Sequence, residues 1–350
     1  MKRQSAPMQC VSVFDRLFEL MRMASTPKTW MPETAPGARL ARRTIFAAMC
    51  ATTVTSQAVF AQQPEITAIN MGILPTADYA PAIIAQQEGF FEKEGLKVTI
   101  RNTTTATVVP GLLGGEFHIS GVNWIAYLLA TNRKIDLVTI GELDRGAPGY
   151  TSFLVRENSD IKSIGDLLGK KVAVVALNGN CDILLNEALR TQGLDYKSVR
   201  YLSVPVPDMG PTLVRDGVDA ACVPEPLLSV VKAQGGVRSV MDLFAGVGDG
   251  FPITGFATTA DFAKKNPNTV AALRRAVDKG RELASKDPAR VRAALPTYTA
   301  IKPDLAEKLS LPFYPAKTDL SALSAGIEMM KRFGLLPPDA RMPILVGETK

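Results

Sequence analysis

Beyond residue 62, short apolar runs alternate with amphipathic stretches, the pattern of strands that each lead into a helix. Residues 66–74 predict a first strand, 78–87 a helix that stops at Gly89, and 96–101 a second strand. A helix follows near 108–113, halted by Gly114-Gly115, then a strand at 117–121, a helix at 124–131 and a strand at 135–140. A second series begins with a strand at 152–155, a short helix at 163–168 and a buried strand at 171–176. An amphipathic helix at 181–192 ends at Gly193, a residue suited to a left-handed stop. A strand at 199–204, a helix near 209–216, a strand at 219–223 and a helix at 227–234 complete this series before Gly235-Gly236.

After one more strand at 253–257 the pattern turns helical over 259–336, with Asn266-Pro267, Asp287-Pro288 and Lys302-Pro303 as helix starts. Two runs of β/α units followed by a helical tail predict an α/β protein of two lobes with C-terminal helices packed outside. At 350 residues the chain is long enough for two domains of ordinary size.

Composition changes this picture little, with 46% hydrophobic and 21% charged residues. Charge changes it more. The formal net charge is +6, but eight of the 40 Lys and Arg and three of the 34 Asp and Glu lie in residues 1–61, so the excess falls to one beyond them. The chain that follows is nearly neutral and offers no basic face for nucleic acid.

Residues 1–61 read as a leader carrying a secretory signal. Arg39, Arg42 and Arg43 precede an uncharged stretch at 44–61, and cleavage after Ala61 would leave Gln62 as the mature N-terminus. A membrane anchor is the other reading. Four threonines, a serine and a glutamine interrupt the stretch, whereas a span needs about 20 predominantly apolar residues. Arg42-Arg43 loosely resembles a twin-arginine signal, and Met49 occupies the place where a lipoprotein signal carries a small residue before Cys50. A start at Met31 would shorten the leader to an ordinary length. Beyond it, Cys181 and Cys222 either pair or remain free thiols.

Four ordered segments carry a family resemblance. The stretch from Met71-Gly72-Ile73-Leu74-Pro75 through Gln87-Glu88-Gly89-Phe90-Phe91-Glu92-Lys93-Glu94-Gly95-Leu96 is similar to the opening of the SsuA/NMT1-like periplasmic solute-binding proteins. Val109-Pro110-Gly111-Leu112-Leu113-Gly114-Gly115-Glu116, Ile161-Lys162-Ser163-Ile164-Gly165-Asp166-Leu167-Leu168-Gly169-Lys170-Lys171-Val172 and Asp219-Ala220-Ala221-Cys222-Val223-Pro224-Glu225-Pro226 follow in the same order as in that family. The resemblance covers residues 66–336. It implies a type II periplasmic binding fold with two crossover hinge strands near Phe153 and Phe256. Lobe 1 would be 66–152 with 257–350, and lobe 2 would be 153–256.

The resemblance further implies a monomeric, periplasmic component of an ABC importer, working with a permease and an ATPase. It would need no cofactor and catalyse nothing, and would capture a sulfonate, carboxylate, nitrate-like anion or thiamine precursor by hinge closure. Two alternatives share the fold: a thiamine-pyrimidine synthase and a periplasmic sensory domain. Fold alone does not choose the solute.

Open α/β sheets bind ligands where strands lead into helices, and helix N-termini favour anions. Candidate contacts therefore lie in those loops. Thr76 and Asp78 follow the first strand and either cap the next helix or reach solute; Tyr79 either stacks on solute or packs in the core. Asn102, Thr103, Thr104 and Thr105 form a hydroxyl-lined anion cup or an ordinary turn and cap. Asn123 and Trp124 offer a polar edge and an apolar wall, with core packing the other reading for the indole. Asn178, Gly179, Asn180 and Cys181 open the long helix of the second series as an anion cradle. Arg145 would grip an anion through two parallel hydrogen bonds or lie solvated in its loop. Glu225 would cap its helix or meet an amine or hydroxyl of the solute. The single histidine, His118, reads as structural, and no nucleophile elbow, phosphate-binding loop or zinc-binding helix motif is present.

Overall fold

The structure, a computed structural model, describes residues 63–347; the expected leader lies outside the described residues. Among them, no helix is long and apolar enough to cross a membrane.

Among the described residues, ten strands form two five-stranded sheets. The first contains β1 (Ala68–Ile73), β2 (Lys97–Asn102), β3 (Ile119–Asn123), β4 (Leu137–Arg145) and β10 (Pro252–Thr259), in the order β2-β1-β3-β10-β4. The second contains β5 (Thr151–Arg156), β6 (Lys171–Val174), β7 (Arg200–Ser203), β8 (Ala220–Pro224) and β9 (Val237–Asp242), in the order β7-β6-β8-β5-β9. In each sheet four strands run one way and one runs against them. β10 runs against β3 and β4, and β5 runs against β8 and β9.

Helices α1 (Ala80–Gln87), α2 (Phe90–Lys93), α3 (Thr105–Leu113) and α4 (Trp124–Asn132) connect strands of the first sheet. Helices α5 (Asn180–Thr191), α6 (Val206–Val214) and α7 (Leu227–Gln234) do so for the second. The tail holds α8 (Ala260–Lys265), α9 (Pro267–Lys286), α10 (Pro288–Ala294), α11 (Pro303–Ala306) and α12 (Leu323–Arg332). Three of these begin at the expected prolines, where a missing N–H leaves no helical hydrogen bond unmade.

Burial explains the pattern. β3 and β10 are covered on both faces and read as continuous buried runs rather than alternating ones. On α9, Val270, Leu273, Ala276 and Val277 form the apolar stripe that packs against α1. Gly280 lets the two helices approach closely, since a Cβ there would lie 2.1 Å from the carbonyl oxygen of Pro81.

Two elements depart from expectation. β4 runs five residues beyond 140, because the polar end that reads as a loop is paired along β10. Its outer edge is covered in turn: Thr139 donates to the carbonyl of Ile344 and accepts from Val346 through its own carbonyl, at 2.9 and 2.8 Å. β9 is a half-buried edge strand that the sequence did not announce, since it follows two glycines and alternates poorly.

The chain passes between the sheets at 146–150 and returns at 243–251. Phe153 and Phe256, near which crossings were expected, lie inside β5 and β10.

Candidate functional site

Between the two sheets lies a cavity of about 160 Å³. Asp78 and Tyr79 reach it from the segment after β1, Asn123 from the end of β3, Tyr150 and Phe244 from the two crossings, and Asn178 and Asn180 from the loop after β6. Leu74, Val108, Leu129, Val175 and Ile253 contribute to walls that are otherwise mostly apolar. Strand-end loops of both sheets therefore face one space, as open α/β sheets favour.

The first-sheet side is braced from beneath. Tyr298 and Tyr314, from the helical tail, donate to the carbonyls of Thr76 and Ala77 at 2.9 and 2.7 Å. The Tyr79 ring lies against Gly121, where a Cβ would sit 1.9 Å from it. Within this frame Thr76 donates its hydroxyl to Asp78 Oδ2. Asp144, on β4, accepts from the Thr254 hydroxyl at 2.5 Å and amide at 3.2 Å. Both carboxylates are buried, at 6% and 0% exposure. Burial, then the charge of neighbouring Asp78, pushes the Asp144 carboxyl well above the usual range. Asp78 Oδ1, Asp144 Oδ2 and the Tyr150 hydroxyl form one buried cluster with no hydrogen-bond partner outside it among the described residues, and a proton on Asp144 lets the two carboxyl groups bond to each other.

The second-sheet side is arranged differently. Asn178 takes a left-handed conformation, with φ of 55°, and turns the chain into α5. The amides of Asn178 and Gly179 donate to the Asp182 carboxylate at 2.5 and 2.7 Å, and that of Ile183 joins at 3.1 Å. Asp182 is 4% exposed, and burial outweighs these bonds to raise its pKa to about 6. Next to this loop, Cys181 is disulfide-bonded to Cys222 of β8.

Of the fifteen residues singled out from the sequence, nine line the cavity: Thr76, Asp78, Tyr79, Thr105, Asn123, Asn178, Gly179, Asn180 and Cys181. Asn123 also caps α4, its Oδ1 accepting from the Ile125 amide at 2.9 Å. The other six are outside the lining. Asn102 ends β2 and is exposed. Thr103 and Thr104 share hydrogen bonds with Thr107, and Thr104 with Thr107 forms the capping box of α3. Trp124 is 1% exposed, packs edge-on to Tyr127 and lies under Gly255, where a Cβ would meet the indole at 2.5 Å. Arg145 ends β4 rather than lying in a loop, and grips Glu142 through Nε at 2.7 Å and Nη2 at 3.0 Å. Glu225 accepts the Ser229 amide and hydroxyl, which caps α7.

Sequence reasoning missed Tyr150, Phe244, Asp144 and Thr254. Tyr150 and Asp144 flank the loop from which Arg145 was chosen, but their burial depends on β10, which is more than 100 residues away. His118 lies apart from the cavity; its Nδ1 accepts from the Asn70 amide at 3.0 Å and its ring stacks on Phe262. Among the described residues, no cluster of three or more His, Cys, Asp or Glu is placed to hold a metal ion.

The family model described as NMT1/THI5 like matches residues 76–291. A Haemophilus influenzae protein named for thiamine biosynthesis is 34% identical over 144 residues, 41% of this chain and 45% of that one. An Escherichia coli protein named for binding aliphatic sulfonates is 31% identical over 128 residues, 37% of this chain and 40% of that one. The chain thus spans less than half the length of these two relatives. The THI11 pyrimidine phosphate synthase of Saccharomyces cerevisiae is 26% identical over 255 residues, 69% of this chain and 72% of the synthase. Among solved structures, the periplasmic nitrate-binding protein NrtA of Synechocystis superposes with a TM-score of 0.69 at 18% identity, covering 79% of this chain and 84% of that one. With the fold of a periplasmic binding protein and a family match spanning well over half its length, the chain belongs to the NMT1/THI5 like family.

Proposed function

We propose that this chain is the extracytoplasmic solute-binding component of an ABC importer, a monomer that closes two lobes over one small molecule and delivers it to a permease and ATPase. The observation that carries this reading is the cavity shared by the two sheets, with apolar walls and a few convergent polar atoms. The relatives named for sulfonate and nitrate binding support it, and the cationic stretch before residues 44–61 supports export to the periplasm. The lobes are the two sheets with their helices, divided at the segments 146–150 and 243–251. Closure then rotates them about the segments 146–150 and 243–251, whose glycines absorb backbone change.

The test is a thermal-shift screen of small solutes on the mature chain, followed by calorimetry. A solute held only by the folded state at a hundred times its Kd stabilises it by about 2.7 kcal/mol, a rise of several degrees in Tm for a chain of this size. The synthase relative carries the second reading, an enzyme on the same fold. Chemical conversion of the bound solute by the purified chain would establish that reading in place of the first.

A further inference from the structure

We propose that the cavity takes a largely apolar solute, cationic or uncharged, that presents N–H donors to Asp78 and Asn180, and that it excludes sulfonates, nitrate and carboxylates. This rests on the solute-binding reading and names the class of solute. Three independent observations lead to it.

The first is the charge of the lining. No lysine, arginine or histidine is among the described residues that line the cavity, whereas Asp78 is. Asp144 lies immediately behind, wholly buried and held towards its neutral form, so the like charge at the wall is that of Asp78. An anion placed here would meet like charge in a site of low dielectric, with no cation to offset its lost hydration.

The second is where the available anion-binding groups have gone. The amides of Asn178 and Gly179, at the opening of the twelve-residue helix α5, are taken by Asp182, a carboxylate of the chain itself. The hydroxyls of Thr103 and Thr104, before α3, bond to the Thr107 hydroxyl within it. Arg145 is held by both oxygens of Glu142. These groups, each suited to receive an anion, already have internal partners.

The third is what remains unpaired. Asn180 Oδ1 is a buried acceptor without a donor, and it lines the cavity. Asp78 is more than nine-tenths buried on the same lining; its neighbours there are the Asp144 carboxyl and the Tyr150 hydroxyl, which leave its charge without a cation. A buried acceptor left without a donor is costly and is ordinarily satisfied, and a buried charge without a partner costs more, so Asn180 calls for a donor and Asp78 for a cationic or N–H group from the solute. Tyr79, Tyr150 and Phe244 supply flat apolar surface for a ring or cation.

Shape-matched pairs test the sign directly. Benzamidine and benzylamine would be titrated calorimetrically into the mature chain alongside benzoate and benzenesulfonate, with nitrate as a small anion. The expected result is saturable binding of the cations and no detectable binding of the anions. Asp78→Asn keeps the side-chain volume but removes the charge, and should weaken cation binding roughly ten- to hundredfold. Asn180→Leu, at the partly exposed start of α5, removes the second acceptor and should weaken it less. Circular dichroism would confirm that each variant is folded, and the wild-type pairs decide the question even if Asp78→Asn is not. Anion binding equal to or tighter than that of the matched cation, or cation affinity unchanged in folded Asp78→Asn, would overturn the solute class while leaving the solute-binding reading intact. Failure of every compound here and in the wider solute screen would overturn the solute-binding reading, and this inference with it.

Discussion

The two loops that face the cavity solve the same local problem in opposite ways. Each leaves a buried strand and starts a helix, and each brings an aspartate to the turn. After β6 the aspartate is Asp182, which turns inward on its own backbone and accepts from three amides. After β1 it is Asp78, which accepts the Thr76 hydroxyl and otherwise meets only the Asp144 carboxyl and the Tyr150 hydroxyl, with none of its own helix's amides on it. The second-sheet loop is thus internally closed and also tied by a disulfide, whereas the first-sheet loop keeps a carboxylate that no cation of the cavity lining offsets. The cross-link lies on one side, and the carboxylate with no cation beside it in the cavity lining lies on the other. That division suits a clamp: one jaw holds its shape while the other reads the solute.

The largest expected effect breaks the rigid side. Replacing Cys181 and Cys222 together by serine removes a cross-link closing a loop of 41 residues, and chain entropy assigns this about 4 kcal/mol. Thermal melts of the exported wild type with and without reductant should show the same loss as the double variant. A melt unchanged by reductant would show that the bond does not hold this jaw.

Next comes pH. The Asp182 pKa is raised to about 6 from its ordinary 3.8, so between about pH 4 and 6 the folded chain retains a proton that the unfolded chain has released. Stability from this group is therefore present at low pH and declines as pH rises through that window, by about 3 kcal/mol when complete. Melts of wild type and Asp182→Asn from pH 4 to 7 isolate it: the wild type should lose ground relative to the variant as pH rises to 6, and the difference should then level off. A difference independent of pH would mean that the carboxylate is ionised throughout.

The smallest effect separates capping from recognition. Thr104→Ala removes half of the capping box of α3 and should cost about 1 kcal/mol of stability, while solute affinity stays unchanged. A loss of affinity without a loss of stability would return this threonine to the binding site.

Much of this architecture was legible because it rests on local signals. Helix starts at Pro267, Pro288 and Pro303 and the stop at Gly193 follow from backbone constraints carried by single residues. β9 and the far half of β4 were not legible, because neither alternates cleanly and both depend on partners distant in sequence. The candidate site divides in the same way. Loop residues such as Asp78 and Asn178 could be selected by their place after a strand. The engagement of Arg145 with Glu142, and of the α5 amides with Asp182, is three-dimensional accounting that residue type does not disclose. Arg145 illustrates the point: a grip for an external carboxylate and a grip for an internal one have the same sequence signature.

The central claim is that the cavity between the sheets captures one solute per chain and releases it unchanged. Ala126 lies on α4 at the cavity wall, partly exposed, so Ala126→Trp fills the space from its side. Calorimetric titration of wild type and Ala126→Trp with the strongest ligand from the screen, with the solute recovered and analysed afterwards, is the most direct measurement. The account predicts one site per wild-type chain, intact solute, and no measurable binding by the folded variant. Equal affinity in the variant, or a chemically altered solute, would contradict it.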